Sequence, residues 1–472
     1  MSTIETDYLV IGAGAAGMAF TDALIAESDA DVVMVDRRHR PGGHWNDAYA
    51  FVRLHQPSAF YGINSRQLGN DTIDETGPNA GYYERASAAE ICDYYQRALE
   101  ENLLPSGQVR FFGLHDYTGD NTGEHRIVSR LTGEEQTIRV RRKVVDATYV
   151  ETSVPATHTP SFEVDSQAWF VPPNDLVDLD QPATGYTVIG AGKTAMDTCC
   201  WLLDNGVDPD DIRWVKPREA WVLDRGFLQP LDLVSMLFEG LASDLESAAQ
   251  AEDIDDLYRR LEECGQLHRL VTDIEPTMYC GAILSQAERE SLRQIENVVR
   301  KGRVQYIGAN EIAMDAGTIP TDEGQVHIDC TANGTRPRPA RPIFEPDMIR
   351  IQAIRSGNTP FNAAFIGYVE ASREDAAEKN QLCPPNPYPN HAHDWISNNY
   401  VMWAAFAAWS QEPDIQAWLE GSRVNVARGA MNHMQDPKMQ QAAGRFMANL
   451  EPGLANLQRL MAETHPATAT PA

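Results

Sequence analysis

One pattern occurs twice in this chain and constrains it more than any other: an apolar strand, a glycine-rich turn, a helix and a second strand. The first copy runs from Asp7 to Asp36 around Gly12-Ala-Gly14-Ala-Ala-Gly17; the second runs from Gly185 to Lys216 around Gly190-Ala-Gly192-Lys-Thr-Ala195. In such a turn the first glycine permits a tight bend and the second lets the backbone approach a pyrophosphate. The third position lets the helix pack close to the strand, and alanine there is an accepted variant. The pyrophosphate then meets the helix N-terminus, where the dipole and unpaired N–H groups favour an anion. The run Asp7-Tyr-Leu-Val-Ile11 is the kind of strand that a parallel sheet buries on both faces. Two copies predict an α/β protein with two Rossmann-like dinucleotide-binding domains.

The ends of the second strands separate the two ligands. Asp36 closes the first copy, where a carboxylate accepts hydrogen bonds from a ribose diol. The second copy closes on Trp214-Val-Lys216-Pro-Arg218, with no acid. Cations suit a 2′-phosphate that an acid would repel, so NADPH is predicted over NADH, with Lys216 and Arg218 on the phosphate. Lys193 and Thr194 open the second helix within reach of the pyrophosphate.

Between and after the copies, Ala88, Ile91, Tyr95 and Ala98 keep a helical period over 86–102. Val109–Phe112, Arg126–Leu131 and Thr137–Val145 read as a small antiparallel sheet. Val154–Phe162 reads as a Pro/Thr-rich linker. A helical, acidic section covers Asp232–Arg300, Val326–Cys330 and Asn362–Gly367 read as strands, and the chain from His393 reads as helical. The tail THPATATPA is expected to be disordered.

Charge excludes whole classes of partner. The 39 basic and 68 acidic residues among 472 give −29, which argues against nucleic acid and anionic membrane. In that field an anionic cofactor or substrate needs locally placed arginines. No apolar run reaches the roughly 18 residues of a membrane span, and the N-terminus lacks a basic leader, so a cytoplasmic protein is expected. The sequence leaves a homodimer open. The seven cysteines form no C-x-x-C pair, and Cys199-Cys200 sits in a helix that turns the two thiols to different faces.

Just past the ribose acid, Arg37 to Trp45 reads RRHRPGGHW. This G-G-x-W turn resembles the flavin-containing monooxygenases, the Baeyer–Villiger monooxygenases and the N-hydroxylases, in which it wraps FAD. The resemblance implies FAD in the first domain, held by Gly12, Gly14, Gly17, Asp36, Arg37, Gly43 and Trp45. It also places Arg53–Tyr61 (RLHQPSAFY) along the isoalloxazine, where His55, Gln56 and Ser58 either face the ring or serve as ordinary loop residues. Cys330-Thr-Ala-Asn-Gly334 is similar to the motif that closes the FAD domain in this group, whereas its earlier counterpart Asp146-Ala-Thr148-Tyr149 lacks the glycine. Phe365-Ile-Gly367-Tyr368 is similar to the last strand and turn beside the flavin pyrimidine, which adds Gly367 to the cofactor residues. The implied organisation is an FAD domain in two parts, 1–160 and 321–472, the second with the C-terminal helices, and an inserted NADPH domain over 161–320.

Disulfide reductases share this layout but need a dithiol beside the flavin, which the cysteine spacing does not supply. Residues 161–169 lack the glycine and histidine of the Baeyer–Villiger linker. The resemblance then implies reduction by NADPH, capture of O₂ as a C4a-(hydro)peroxyflavin, and oxygen transfer to a heteroatom of a small molecule. The chain resembles bacterial N-hydroxylating enzymes that oxidise L-aspartate to nitrosuccinate. A substrate with carboxylates would need arginines, for which Arg293 and Arg445 are candidates, with Ser65 just past the flavin loop. An S-oxygenase or other monooxygenase of an apolar substrate, weakly supported by Trp403, Phe406 and Trp409, stays open. So does an NADPH oxidase-like flavoprotein that inserts no oxygen.

Overall fold

The computed structural model describes residues 3–119, 124–150, 152–336 and 338–464. Nearly all of the tail expected to be disordered (465–472) lies outside them.

Each fingerprint stands at the centre of its own sheet. In the first, β1 (Thr3–Ile11) lies between β2 (Val32–Asp36) and the long strand Glu135–Asp146, parallel to both, with Leu9 opposite Val33 and Val144. The helix α1 (Ala15–Ala26) joins β1 to β2 as the crossover that a parallel pair requires. β3 (Val109–Gly113) extends the parallel order beyond β2. This corrects the small antiparallel sheet expected from 109 to 145. Only His125–Ser129 and His115–Tyr117 are antiparallel, while β3, reached through the helix Ala88–Arg97, and Glu135–Asp146 belong to the parallel sheet. Ser87 caps that helix by accepting from Glu90 N–H.

The second sheet repeats the design. Gly185–Ile189 lies between Ile212–Val215 and Gln325–Asp329, flanked outside by Val298–Val299 and Phe170–Val171, all parallel. Because Gln325–Asp329 pairs along the whole of Gly185–Ile189, the second unit extends past the boundary expected at 320. Met348–Arg350 returns the chain to the first sheet beside Glu135–Asp146.

The segment Asn362–Gly367, expected as a strand, lies inside the helix Thr359–Ser372. After Asn362 its sequence is apolar all round, and burial of every residue from Pro360 to Glu370 explains why no one-sided helical period marks it. The start signal is present nonetheless: Asn358 caps the helix by accepting from Phe361 N–H, with Pro360 in the first turn. This helix lies against α1, so Gly367 is a packing residue and not a flavin contact. A Cβ on Gly367 would stand 2.6 Å from the carbonyl oxygen of Phe20. Phe365 packs on Trp409 at 4.5 Å between ring centroids, and Trp403 on Phe446 at 5.3 Å. The C-terminal aromatic run is therefore core, not the wall of an apolar substrate site. The helix Val234–Gln250, from the middle of the chain, packs against the C-terminal helix Pro437–Thr464.

Gly367→Val should lower the stability of the protein by about 1–3 kcal/mol, the usual cost of forcing atoms into a packed core. The urea midpoint of the variant reads this directly. A midpoint equal to that of the wild type would mean that the two helices are not in contact at this glycine.

Candidate functional site

The two units end alike. Gly12 follows β1 at φ +96°, and Gly190 follows Gly185–Ile189 at φ +139°, a region that L side chains rarely adopt. Gly12 N–H donates to Val35 O at 2.8 Å, and Gly190 N–H donates to Val215 O at 3.0 Å. The neighbouring strand then closes over each glycine with the same D-x-T turn. Asp146 Oδ1 accepts from Thr148 N–H and Oγ1–H at 2.9 and 2.8 Å; Asp329 Oδ1 accepts from Thr331 N–H and Oγ1–H at 2.9 and 2.6 Å. A Cβ on Gly12 would lie 2.8 Å from Thr148 Cγ2, and one on Gly190 would lie 2.5 Å from Cys330 O.

Both turns open into one cleft of about 1210 Å³. From the first unit Gly12, Gly14, Asp36, Arg37, Gly43, Trp45, His55 and Gln56 line it; from the second, Gly190, Gly192, Lys193, Thr194 and Arg218 do. Gly14 and Gly43 face each other, since a Cβ on Gly14 would meet Gly43 Cα at 3.4 Å, and Gly42 N–H donates to Ala13 O at 2.9 Å. The G-G-x-W turn thus lies against the first fingerprint. Asp36 Oδ2 accepts from Ala13 N–H at 2.7 Å, which fixes the carboxylate at the strand end. Trp45 Nε1–H donates to Tyr61 Oη at 2.7 Å. His55 is pushed down to about 3 by burial and by the Lys193 cation, so its ring is neutral at physiological pH.

Other expected residues stand elsewhere. Gly17 is not in the cleft wall; it lets α1 lie on Gly12, whose carbonyl oxygen a Cβ would reach at 1.9 Å. Ser58 is buried and accepts from Ala86 N–H at 2.8 Å. Lys216 turns away from the cleft, because alternate residues of a strand face opposite sides. It is buried, paired with Glu219 and set over the Trp214 ring at 4.4 Å. The strand end is thus not free of acids: Glu219 also takes Arg300 at 2.7 Å. Arg445 is held on the surface by Glu239 and Glu246, and Ser65 is bonded to Asp22 outside the cleft. Arg293 donates to the carbonyls of Leu270 and Arg269 and lines a different cavity. None of these three is placed to hold a substrate in the cleft.

Several cleft residues carried no sequence signal. Arg303 lines it beside Gly302, and Ser356–Thr359 brings the N-terminus of the helix Thr359–Ser372 to it. The capping pattern at Asn358 could have revealed that helix end; Arg303 sits in an irregular turn with no motif. Tyr49 Oη–H donates to Asp197 Oδ2 at 2.9 Å and so bridges the two units, and Asp197 also pairs with Lys193. Deeper between the units, Glu288 receives Arg85 at 3.3 Å and Arg225 at 2.6 Å. Burial works to raise the Glu288 carboxyl, but Lys193, Arg225 and Arg85 outweigh it and hold it at about 2.

All seven cysteines are free thiols. Burial pushes Cys199 well above the usual thiol range and Cys200 up to about 12, which leaves neither as a thiolate. Among the described residues no cluster of His, Cys, Asp and Glu could hold a metal, and no helix is long and apolar enough to cross a membrane.

Residues 10–60 match the model of the NAD(P)-binding Rossmann-like domain. Among solved structures, the flavin-containing monooxygenase of Stenotrophomonas maltophilia is 15% identical with a TM-score of 0.42, over 80% of this chain and 99% of that one. The bacillithiol disulfide reductase Bdr of Staphylococcus aureus is 11% identical with a TM-score of 0.46, over 79% and 98%. These likenesses are too distant to carry an argument about chemistry. Sequence relatedness is much stronger to the uncharacterized protein Rv2000 of Mycobacterium tuberculosis, 46% identical over 425 residues that cover 90% of this chain and 78% of that protein. The chain belongs to the same family as Rv2000.

Proposed function

We propose that the protein is an FAD- and NADPH-dependent monooxygenase that N-hydroxylates a small amine or amino acid. The observation that carries this reading is the single cleft into which both dinucleotide fingerprints open. Its volume exceeds the roughly 300–1,000 Å³ of most small-ligand pockets, as two dinucleotides require. The residues fit FAD in the first half: a turn with no Cβ beside the pyrophosphate, Asp36 for the ribose, and the Gly43–Trp45 turn over it. They fit NADPH in the second half, with Arg218 and Arg303 as the cations for its 2′-phosphate in place of Lys216. FAD would relay the two electrons of NADPH to O₂ and so activate it; NADPH, a proton, O₂ and the amine give NADP⁺, water and the hydroxylamine.

The chain's own residues position and protect. The N-terminus of the helix Thr359–Ser372 offers a positive dipole end for the charge of a reduced flavin. Val52, Leu54, Ala282 and Ile283 provide apolar wall that keeps water from the reacting atoms. His55 is neutral and serves as a hydrogen-bonding group, not as a cation. Buried, protonated cysteines speak against dithiol reductase chemistry. L-Aspartate loses support because its expected arginines stand outside the cleft.

Three measurements test this. NADPH oxidation should couple to hydroxylamine formation with a suitable amine, read as NADPH consumed against hydrogen peroxide released. If every amine tried, L-aspartate included, leaves all the reducing equivalents in peroxide, the oxidase-like reading replaces this one. Gly14→Val puts its side chain against Gly43 and into the pyrophosphate path, so the variant should purify without yellow colour; full FAD occupancy would remove the first fingerprint from the flavin site. Arg218→Ala with Arg303→Ala should cut the NADPH preference in kcat/KM by about tenfold or more, each charge-assisted contact contributing about 1.5–3 kcal/mol. An unchanged preference would locate the phosphate elsewhere.

A further inference from the structure

Behind the end of the strand Ile212–Val215, on the side away from the cleft, lies a second cavity of about 380 Å³. Lys216, Arg293 and Arg300 line it, and among the described residues no acid does. Trp214, Leu270 and Ile295, all buried, supply much of the remaining wall. Three cations around one small cavity stand out in a chain of net charge −29. Their known partners do not balance them. Glu219, outside the wall, gives one oxygen to Lys216 and the other to Arg300, and Arg293 spends Nε and Nη2 on backbone carbonyls. Two positive charges are left over, one side of the site being a lysine only 2% exposed. Burial lowers the Lys216 ammonium pKa against the pull of Glu219, which records the cost of keeping it charged there. An anion in the cavity would offset that cost, and the apolar wall would take an apolar body attached to it.

We infer that this cavity binds a small organic carboxylate, its anionic group between Lys216, Arg293 and Arg300 and its apolar body against Trp214, Leu270 and Ile295. The rim arginines are exposed and match a carboxylate through paired N–H donors, whereas the buried lysine acts as a point charge. The site is separate from the cleft, so it stands or falls independently of the FAD and NADPH assignments. It is nevertheless joined to the second fingerprint, since Trp214 Nε1–H donates to Gly190 O at 2.8 Å. Ligand against the Trp214 ring therefore has a direct optical readout.

The test uses the flavin-loaded full chain with benzoate as probe, followed by titration calorimetry and by tryptophan fluorescence. Benzoate should bind at one site per chain, and Arg293→Ala and Arg300→Ala should each weaken it by about tenfold or more. Arg218→Ala, in the cleft, should leave benzoate affinity unchanged, and flavin absorbance should not respond to the probe. Lys216 is too buried for a clean substitution, so the rim arginines are replaced, and unchanged urea midpoints show that the variants are folded. No saturable binding to the wild type overturns the proposal. So does equal affinity in the wild type and both rim variants, or loss of binding on Arg218→Ala alone, which would move the probe into the cleft.

Discussion

Everything at the centre of this molecule depends on a glycine that follows a buried parallel strand and lies beneath the turn of the next strand. At Gly12 and Gly190 the backbone takes a positive φ, and at each the space for a Cβ is already filled by the D-x-T turn of the neighbour. A side chain at either position would meet both a strained conformation and a steric block. Because the strand ends there, the following helix starts directly above the sheet and points its unpaired N–H groups into the cleft. The same short-range geometry is built twice from the same local sequence: Val10-Ile-Gly-Ala-Gly14 with Asp146-Ala-Thr148, and Val188-Ile-Gly-Ala-Gly192 with Asp329-Cys-Thr331.

Two such turns make one site only if the units hold a fixed relation. Tyr49, Asp197 and Lys193 tie the loop after the G-G-x-W turn to the helix Lys193–Asp204 of the second unit, and Arg85–Glu288–Arg225 forms a buried triad below them. Buried ion pairs add little net stability, because desolvation consumes most of the Coulomb gain, but removing one partner strands the others at a cost of about 3–5 kcal/mol. A triad of this kind acts on orientation: sliding one unit over the other would break it outright. Arg225 also donates to His55 O at 3.1 Å, so the triad reaches the loop that lines the cleft.

The parts legible in the sequence are those fixed by local geometry. The glycine turns, the acid at the end of β2 and the strand–turn–helix–strand order around each turn follow from short segments, whereas the parallel places of Val109–Gly113 and Glu135–Asp146 do not. Where burial is complete, the local signal fails: apart from Asn362, Phe361 to Val369 carries no strongly polar residue on any side, so strand and helix look alike there, and only the Asn358 cap marks a helix. Long-range pairing is equally invisible. Nothing near Arg445 indicates that Glu239 and Glu246 hold it, and nothing near Glu219 indicates that it serves Lys216 and Arg300 together. The charge of a residue can be read from its letter, but the direction in which it points cannot.

Lys216 shows how much turns on that direction. In Trp214-Val-Lys216 the first and third side chains share a face. Trp214 faces the helix side of the second sheet, with Met196, Cys199 and Leu202 in the same core, while Val215 packs among Val304, Ile307 and Ile312 on the other. Lys216 must therefore follow Trp214 away from the cleft, whatever ligand the cleft holds. A buried ammonium needs a counter-charge, which accounts for an acid three residues on, at a strand end where a 2′-phosphate would exclude one from the cleft side. Both carboxylate oxygens of Glu219 are taken, by Lys216 and Arg300, so its charge is met on the side away from the cleft. The strand alternation carries Lys216 behind the sheet with Trp214, into the cationic cavity; Arg218, beyond the strand end and Pro217, is free of that alternation and lines the cleft.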